Sequence, residues 1–347
     1  MLQHKQFLFL TSSLFFFSVL FVACNGCDED SEKPMIFEDI HYNITIAPDL
    51  SNRIDTMLYP RAISDLVIVD GFIDAFYPGI VTYDLGRKKD NLRKTGQKDI
   101  LRVDFINQKM GSNYVLADME FNLARFEKNQ AERIQYLTNQ GTENLDQDKQ
   151  KFKQSYAKLN DAVMKQNMKA DIWSYFNNGI KSNLLDNDID SVMHKNGKGL
   201  NRSFACNVLV LLTDGYIEAG LYGKENCEGN RCYFLDSKRV DDFRIAFKKS
   251  GSNDMKAFFG QEGYGIIPVE NPLLKNLNVL VMEMYDRSID SSGRAKYHPS
   301  DWEILQLFWS DWLTQSGVKS YKLLPTASSK QEAMRHVQDF LRSRSVE

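Results

Sequence analysis

Three apolar runs in this chain each lead into an aspartate: residues 44–47 into Asp49, 208–212 into Asp214, and 279–284 into Asp286. Short aliphatic and β-branched runs of this kind read as buried strands. In open α/β sheets ligands collect just beyond the carboxyl ends of strands, so carboxylates placed there converge on one crevice. Carboxylate and hydroxyl oxygens are hard ligands suited to Mg²⁺, Mn²⁺ or Ca²⁺, and none of the five histidines falls in a zinc-ligand spacing. The chemistry on offer is therefore cation binding, or pairing of the same carboxylates with a basic side chain.

Catalysis has little support. The sequence holds no Gly-x-Ser-x-Gly, no His-Glu-x-x-His and no evident Ser/His or Cys/His pairing. Strand-end carboxylates can do acid–base work or assist a metal-dependent hydrolysis, but nothing separates such a pair from an ion-pairing one. The expectation is a non-enzyme.

The elements that must position these carboxylates alternate along the chain. Residues 100–106 alternate Leu101, Val103 and Phe105 with Arg102 and Asp104, as in a half-exposed strand near an edge. Residues 60–80 place Ala62, Leu66, Val69, Ile73, Phe76 and Ile80 at steps of three and four, which predicts a helix, although 66–69 alone would also suit a strand. The stretches 113–140 and 148–182 read as long polar surface helices. Ser300-Asp-Trp-Glu303 is a capping box that opens a helix ended by Gly317, followed by a strand at 318–324 and a last amphipathic helix at 329–343. This alternation predicts an α/β fold with a doubly wound, mostly parallel sheet and helices on both faces, a three-layer architecture.

Within that frame the residues resemble a known family. Ile44-Thr-Ile-Ala-Pro-Asp49-Leu-Ser51-Asn-Arg53 is similar to the first strand and Asp-x-Ser-x-Ser loop of von Willebrand factor A domains, and Val208-Leu-Val-Leu-Leu-Thr-Asp214-Gly215 is similar to their Thr-Asp-Gly strand. The resemblance covers residues 41–325. It implies a metal-ion-dependent adhesion site in which Asp49 orients metal-bound water, Ser51 offers a hydroxyl and Asp214 a carboxylate. It also implies a protein partner.

Two family positions differ. The second serine is Arg53, and the threonine corresponds to Ala170 in Ala170-Asp171-Ile172-Trp173. A permanently charged guanidinium competes with a metal for carboxylates, so Arg53 can pair with Asp49 or Asp214 and leave a metal-free, salt-bridged site. Asp171 can restore a carboxylate where a hydroxyl was lost. Both readings stay open: a protein-binding domain with a divalent cation, or a scaffold component of an envelope assembly with a metal-free site, using the helices of 113–182 as its contact surface.

The composition fits a folded body: 347 residues, 43% hydrophobic and 26% charged, with 43 Lys and Arg against 46 Asp and Glu. That balance gives no electrostatic reason to expect nucleic acid. Arg87 to Lys98 is strongly basic and reads as a solvated loop, and Gly260-Gln-Glu-Gly-Tyr-Gly265 as a turn. Residues 1–23 read as an export signal, with Lys5 ahead of an apolar run too short and too rich in hydroxyls for a permanent span.

Phe21-Val22-Ala23-Cys24 resembles a bacterial lipobox with Cys24 as the lipidated residue, and Cys27 is a poorer match. The acidic Asp28-Glu-Asp-Ser-Glu32 resembles the surface-export tag of Bacteroides-group lipoproteins. The expected product is an outer-membrane lipoprotein, periplasmic or surface-exposed, with a flexible acidic tether over 24–40 and one domain over 41–347 that carries a helical insertion around 113–182. Cys206 reads as a buried small hydrophobe, while Cys227-Glu-Gly-Asn-Arg-Cys232 can close a small disulfide loop in an oxidising compartment.

Overall fold

The computed structural model describes residues 35–55, 57, 60–81, 98–106, 116–126, 129–166, 170–186, 189–193, 199–217, 227–290 and 293–344. The lipobox cysteine Cys24, Cys27, the acidic run 28–32 and nearly all of the basic stretch 87–98 lie outside the described residues.

The strands, in chain order, are β1 (Met35–Pro48), β2 (Ile100–Val103), β3 (Glu120–Asn122), β4 (Ile189–Met193), β5 (Gly199–Leu212), β6 (Cys227–Glu228), β7 (Arg231–Cys232), β8 (Gly265–Ile266), β9 (Asn278–Met284) and β10 (Ser320–Pro325). The helices are α1 (Asp65–Ala75), α2 (Gln130–Leu137), α3 (Leu145–Gln166), the single turn α4 (Ile172–Ser174), α5 (Ser237–Ser250), α6 (Met255–Gln261), α7 (Asp301–Gln315) and α8 (Lys330–Arg344).

The main sheet runs β10-β9-β5-β1-β2-β3, with β4 added to the N-terminal half of β5. β3 and β4 are antiparallel to their neighbours, and the other pairings are parallel. From β1 the chain builds outward to β2 and β3, then returns to the other side of β1 to lay down β5, β9 and β10. The order therefore reverses between β1 and β5. These are the strands that end at Asp49 and Asp214.

Alternate residues of the central strands feed two separate apolar clusters, as the two-residue period of a strand requires. Ile44, Ile46, Val208, Val210 and Leu212 pack with Ile68, Phe72 and Ile73 of α1, Phe152 and Tyr156 of α3, and Val337 and Phe340 of α8. Ala47, Leu209, Leu211, Val279 and Val281 pack with Val240 and Phe243 of α5 and Ile304, Phe308, Trp309 and Trp312 of α7. Strands buried on both sides explain why 208–212 and 279–282 are continuous apolar runs.

Several sequence expectations need correction. β1 begins at Met35, inside the stretch read as tether, and pairs with β5 along its whole length, Met35 opposite Gly199 and Pro48 opposite Leu212. Polar residues such as Asn43 and Asn207 conceal how far both strands extend, because they hydrogen-bond to each other (2.8 Å) and remain buried. β2 does lie near an edge, one strand in, with β3 on its outer side. β3 lies within 113–140, where the sequence predicts helix; three residues are too few to produce a detectable period. The stretch 148–182 breaks after α3.

The 60–80 helix is regular only over 65–75. Its last turn, 76–80, widens at Tyr77, whose φ of −137° and ψ of 131° are extended. The expected capping box is present: Ser300 accepts from the Glu303 amide and Glu303 accepts from the Ser300 amide. Gly317 follows α7 at a φ of 74°, a conformation other residues adopt at a cost. Cys227 and Cys232 are joined, and Cys206 is free and buried. Among the described residues no helix is long and apolar enough to cross a membrane.

Candidate functional site

Adjacent parallel strands of matched length deliver Asp49 and Asp214 to one place. The ladder continues past the strand ends: the Asp49 amide donates to the Leu212 carbonyl (2.8 Å) and the Thr213 amide to Met282 (3.0 Å). The Thr213 hydroxyl then donates to Asp49 Oδ2 at 3.0 Å. Asp49 and Asp214 are both buried, and each lies within the other's electrostatic reach.

Arg53 lies on the short turn Asn52–Ile54, directly after the Asp49 loop. Its Nε donates to the Asp49 carbonyl (3.0 Å) and stands 3.6 Å from Asp49 Oδ2. Its Nη2 donates to the Leu212 carbonyl and to Asp65 Oδ2, each at 2.5 Å. Asp65, in the first turn of α1, also binds Arg61 Nη1 through Oδ1 (2.9 Å), and Arg61 Nη2 donates to the Arg53 carbonyl (3.2 Å). The guanidinium expected to compete for the crevice is thus locked in it by an acidic residue from the first turn of α1.

Asp214 has its own arginine. Arg287, just beyond β9, donates from Nη2 to Asp214 Oδ2 at 2.8 Å, while the Tyr216 amide donates to Oδ1 at 3.1 Å. The Arg287 guanidinium lies 3.8 Å from the centre of the Tyr216 ring and also donates to Ser237 at the start of α5. Tyr216 donates through its hydroxyl to Asp301, which in turn pairs with Arg244. Sequence reasoning missed Arg287. The available signal was a basic residue immediately after a strand-end aspartate.

These contacts explain the titration behaviour. Burial raises the Asp49 carboxyl to about 6; Arg53 opposes this, Asp214 adds to it, and the Ser51 and Thr213 hydroxyls pull it down. Burial would lower Arg53, yet Asp65, Asp49, Asp214 and Glu283 together hold it above its ordinary value, so it stays charged. Glu283 is fully buried in β9 at a φ of 70°, where the pairing with β10 shifts register. Its Oε1 accepts from the Ala327 amide (3.0 Å), and burial raises it to about 7.

The remaining expected site residues fall differently. Ser51 is half-buried beside Asp49, and its hydroxyl acts on that carboxylate. Ala170 packs in the apolar cluster of α5 and α7. Asp171 caps α4, accepting from the Ser174 amide (2.9 Å) and hydroxyl (2.7 Å), so a local turn already uses both its oxygens. Asp286 likewise holds a turn, accepting from the Ser288 amide (2.8 Å) and from the Trp302 amide (3.2 Å) at the start of α7.

A hard divalent ion needs several oxygen ligands with lone pairs to spare. Here both Asp214 oxygens accept hydrogen bonds, one of them from a guanidinium, and Asp49 Oδ2 accepts from Thr213. Of the four carboxylate oxygens of Asp49 and Asp214, Asp49 Oδ1 alone is buried without a hydrogen bond. Two guanidinium groups already compensate the carboxylates. Among the described residues no group of three or more His, Cys, Asp or Glu side chains is placed to hold a metal ion. The donor set fits an internally paired site, not a cation-loaded one. Comparison with protein-family models, with curated proteins and with solved structures gives no match to this chain.

Proposed function

We propose that this chain is a protein-binding module of the von Willebrand factor A type, with a doubly wound three-layer body, held at the cell envelope by a lipid on Cys24. Its strand-end face works without a divalent cation. The strand order, with its reversal between β1 and β5, and the two helix-bearing clusters support the architecture. The observation that carries the metal-free reading is the position of Arg53: its guanidinium sits between the Leu212 carbonyl and Asp65 while its Nε faces Asp49. A fixed positive charge there does the neutralising that a cation would otherwise do. The exposed side chains of Met57, Ile289 and Tyr297, on the loops that follow β1 and β9, give this end of the sheet apolar contact points for a partner.

Two measurements test the proposal. Calorimetric titration of the purified protein with Mg²⁺, Mn²⁺ and Ca²⁺ is expected to give no binding heat, and cross-linking in intact cells is expected to map partner contacts to the loops after β1, β5 and β9, unchanged by chelator. Stoichiometric cation uptake would overturn the metal-free reading. Contacts confined to α2 and α3 would replace the strand-end binding face with the scaffold alternative.

A further inference from the structure

Away from the strand ends, the hairpin β6–β7 carries a disulfide whose two sulfurs sit in unlike surroundings. Cys227 lies on the exposed strand β6, whereas Cys232 is 2% exposed. Beside Cys232 stands Arg239, from the first turn of α5. Its Nη1 contacts Cys232 Sγ and is 4.0 Å from Cys227 Sγ, while Nη2 donates to the carbonyls of Asn230 (2.5 Å) and Gly265 (2.8 Å). The planar fork therefore clamps the hairpin to β8 with one arm and reaches the sulfur with the other.

The charge on Arg239 is unusual in this molecule. Arg53, Arg61, Arg231, Arg244 and Arg287 each pair with a carboxylate. Arg239 makes no ion pair among the described residues. Burial lowers it to about 10, with only weak opposition from Tyr264, Asp236 and Asp242, so it remains protonated at neutral pH. A partly buried cation that lacks a carboxylate gains most from a new anion, and the atom it touches would become one if the disulfide were opened.

We propose that Cys227–Cys232 is a directional thiol–disulfide exchange site, in which an incoming thiolate attacks the Cys227 sulfur and Cys232 departs as a thiolate paired with Arg239. The step balances: the nucleophile's sulfur forms a bond to Cys227 Sγ, the Cys227–Cys232 bond breaks, and its electron pair leaves on Cys232. Low-molecular-weight thiols and protein thiols share this chemistry. Direction follows from two independent facts, access at Cys227 and a cation at Cys232. Exchange rates rise both with access to the attacked sulfur and with a lower pKa of the departing one, and a neighbouring guanidinium lowers thiol pKa values.

The test uses the full-length oxidised protein and glutathione as the probe. After a brief exposure and acid quench, peptide mass spectrometry is expected to place glutathione on Cys227 with Cys232 free, and Arg239→Gln is expected to slow the exchange about tenfold, with partial recovery in Arg239→Lys. In the reduced protein, the pH dependence of iodoacetamide alkylation is expected to show Cys232 ionising below Cys227. This last readout needs no variant. Glutathione found on Cys232 or shared equally, an exchange rate indifferent to Arg239, or a Cys232 that ionises above Cys227 would overturn the proposal.

Discussion

Arg53 and Asp65 form a buried ion pair, Nη2 to Oδ2 at 2.5 Å, that ties the loop after β1 to the first turn of α1. Each partner is engaged a second time, Arg53 by the Leu212 carbonyl and Asp65 by Arg61. The pair therefore belongs to a network in which every member depends on the others.

Removing one member should cost far more than the pair contributes. Truncating one side of a buried ion pair typically costs about 3–5 kcal/mol, because the other charge is left without compensation. Arg53→Ala strands Asp49 and leaves Asp65 with Arg61 alone, so urea denaturation is expected to show a loss toward the lower end of that range. The double change Arg53→Met with Asp65→Leu leaves Arg61 and Asp49 without their ion-pair partners and is expected not to recover it. A single variant as stable as the native protein would show the network to be idle.

Stability should rise as pH falls from 8 toward 5. Glu283 and Asp49 both titrate higher in the folded state than in the unfolded chain, where they return to ordinary carboxylate values. Between about pH 4.5 and 7 the folded state then binds more protons than the unfolded one, so the free energy of unfolding decreases with rising pH. Asp65, Arg61, Arg53 and the Ala327 amide are the groups acting on Glu283. Below that window Asp74 and Glu332, both held low by their partners, act in the opposite sense.

Glu283→Gln isolates one contribution. It keeps an acceptor for the Ala327 amide and removes the charge. For a carboxyl raised from 4.5 to about 7, a gain of about 3 kcal/mol at pH 8 is the upper scale, at about 1.4 kcal/mol per pH unit. Thermal melts at pH 8 and pH 5 should converge in the variant relative to the native protein. An unchanged pH profile would remove Glu283 from the account.

Gly215 tests the tight packing beneath Asp214. Its φ is 89°, and an added Cβ would stand 2.9 Å from Met284 Cε and 3.3 Å from Leu305 Cδ1. Gly215→Ala combines an unfavourable backbone conformation with a clash, and a loss of about 1–3 kcal/mol is expected in denaturant melts. The Asp214–Arg287 pair should loosen with it, because the Asp214 carbonyl accepts from Tyr285 and the Gly215 carbonyl accepts from Trp309 Nε1.

Ser300→Ala is the local control. Loss of an N-cap typically costs about 1 kcal/mol, and here it removes the acceptor for the Glu303 amide without touching the strand ends. A melt displaced by that amount, with partner cross-linking unaltered, would separate helix stability from the binding face.

What could be read from sequence alone followed from how each residue is buried. The apolar ends of β1, β5 and β9 are enclosed on both sides, so composition reveals them and places Asp49 and Asp214 at their tips. The N-terminal halves of β1 and β5 escape notice because Asn43, His41 and Asn207 are buried through hydrogen bonds, which no hydropathy pattern records. Arg53 could be identified as a competitor for the crevice, but its anchor could not. Asp65 sits at a helix start, where acidic residues are ordinarily explained by the helix dipole, and Arg287 is 73 positions from the carboxylate it binds. Pairings across such separations exist only in the folded chain.

The full-length register between β1 and β5 has a mechanical consequence. The two strands run parallel from Met35 opposite Gly199 to Pro48 opposite Leu212, with the chain entering at one end of β1 and the Asp49 loop at the other. Tension applied between those ends points along the strand axis, so the rungs of this ladder are strained together and cannot unzip one at a time. A body gripped at its strand-end loops and pulled by its N-terminal segment would resist extension in shear, the stiffer of the two ways to part a sheet.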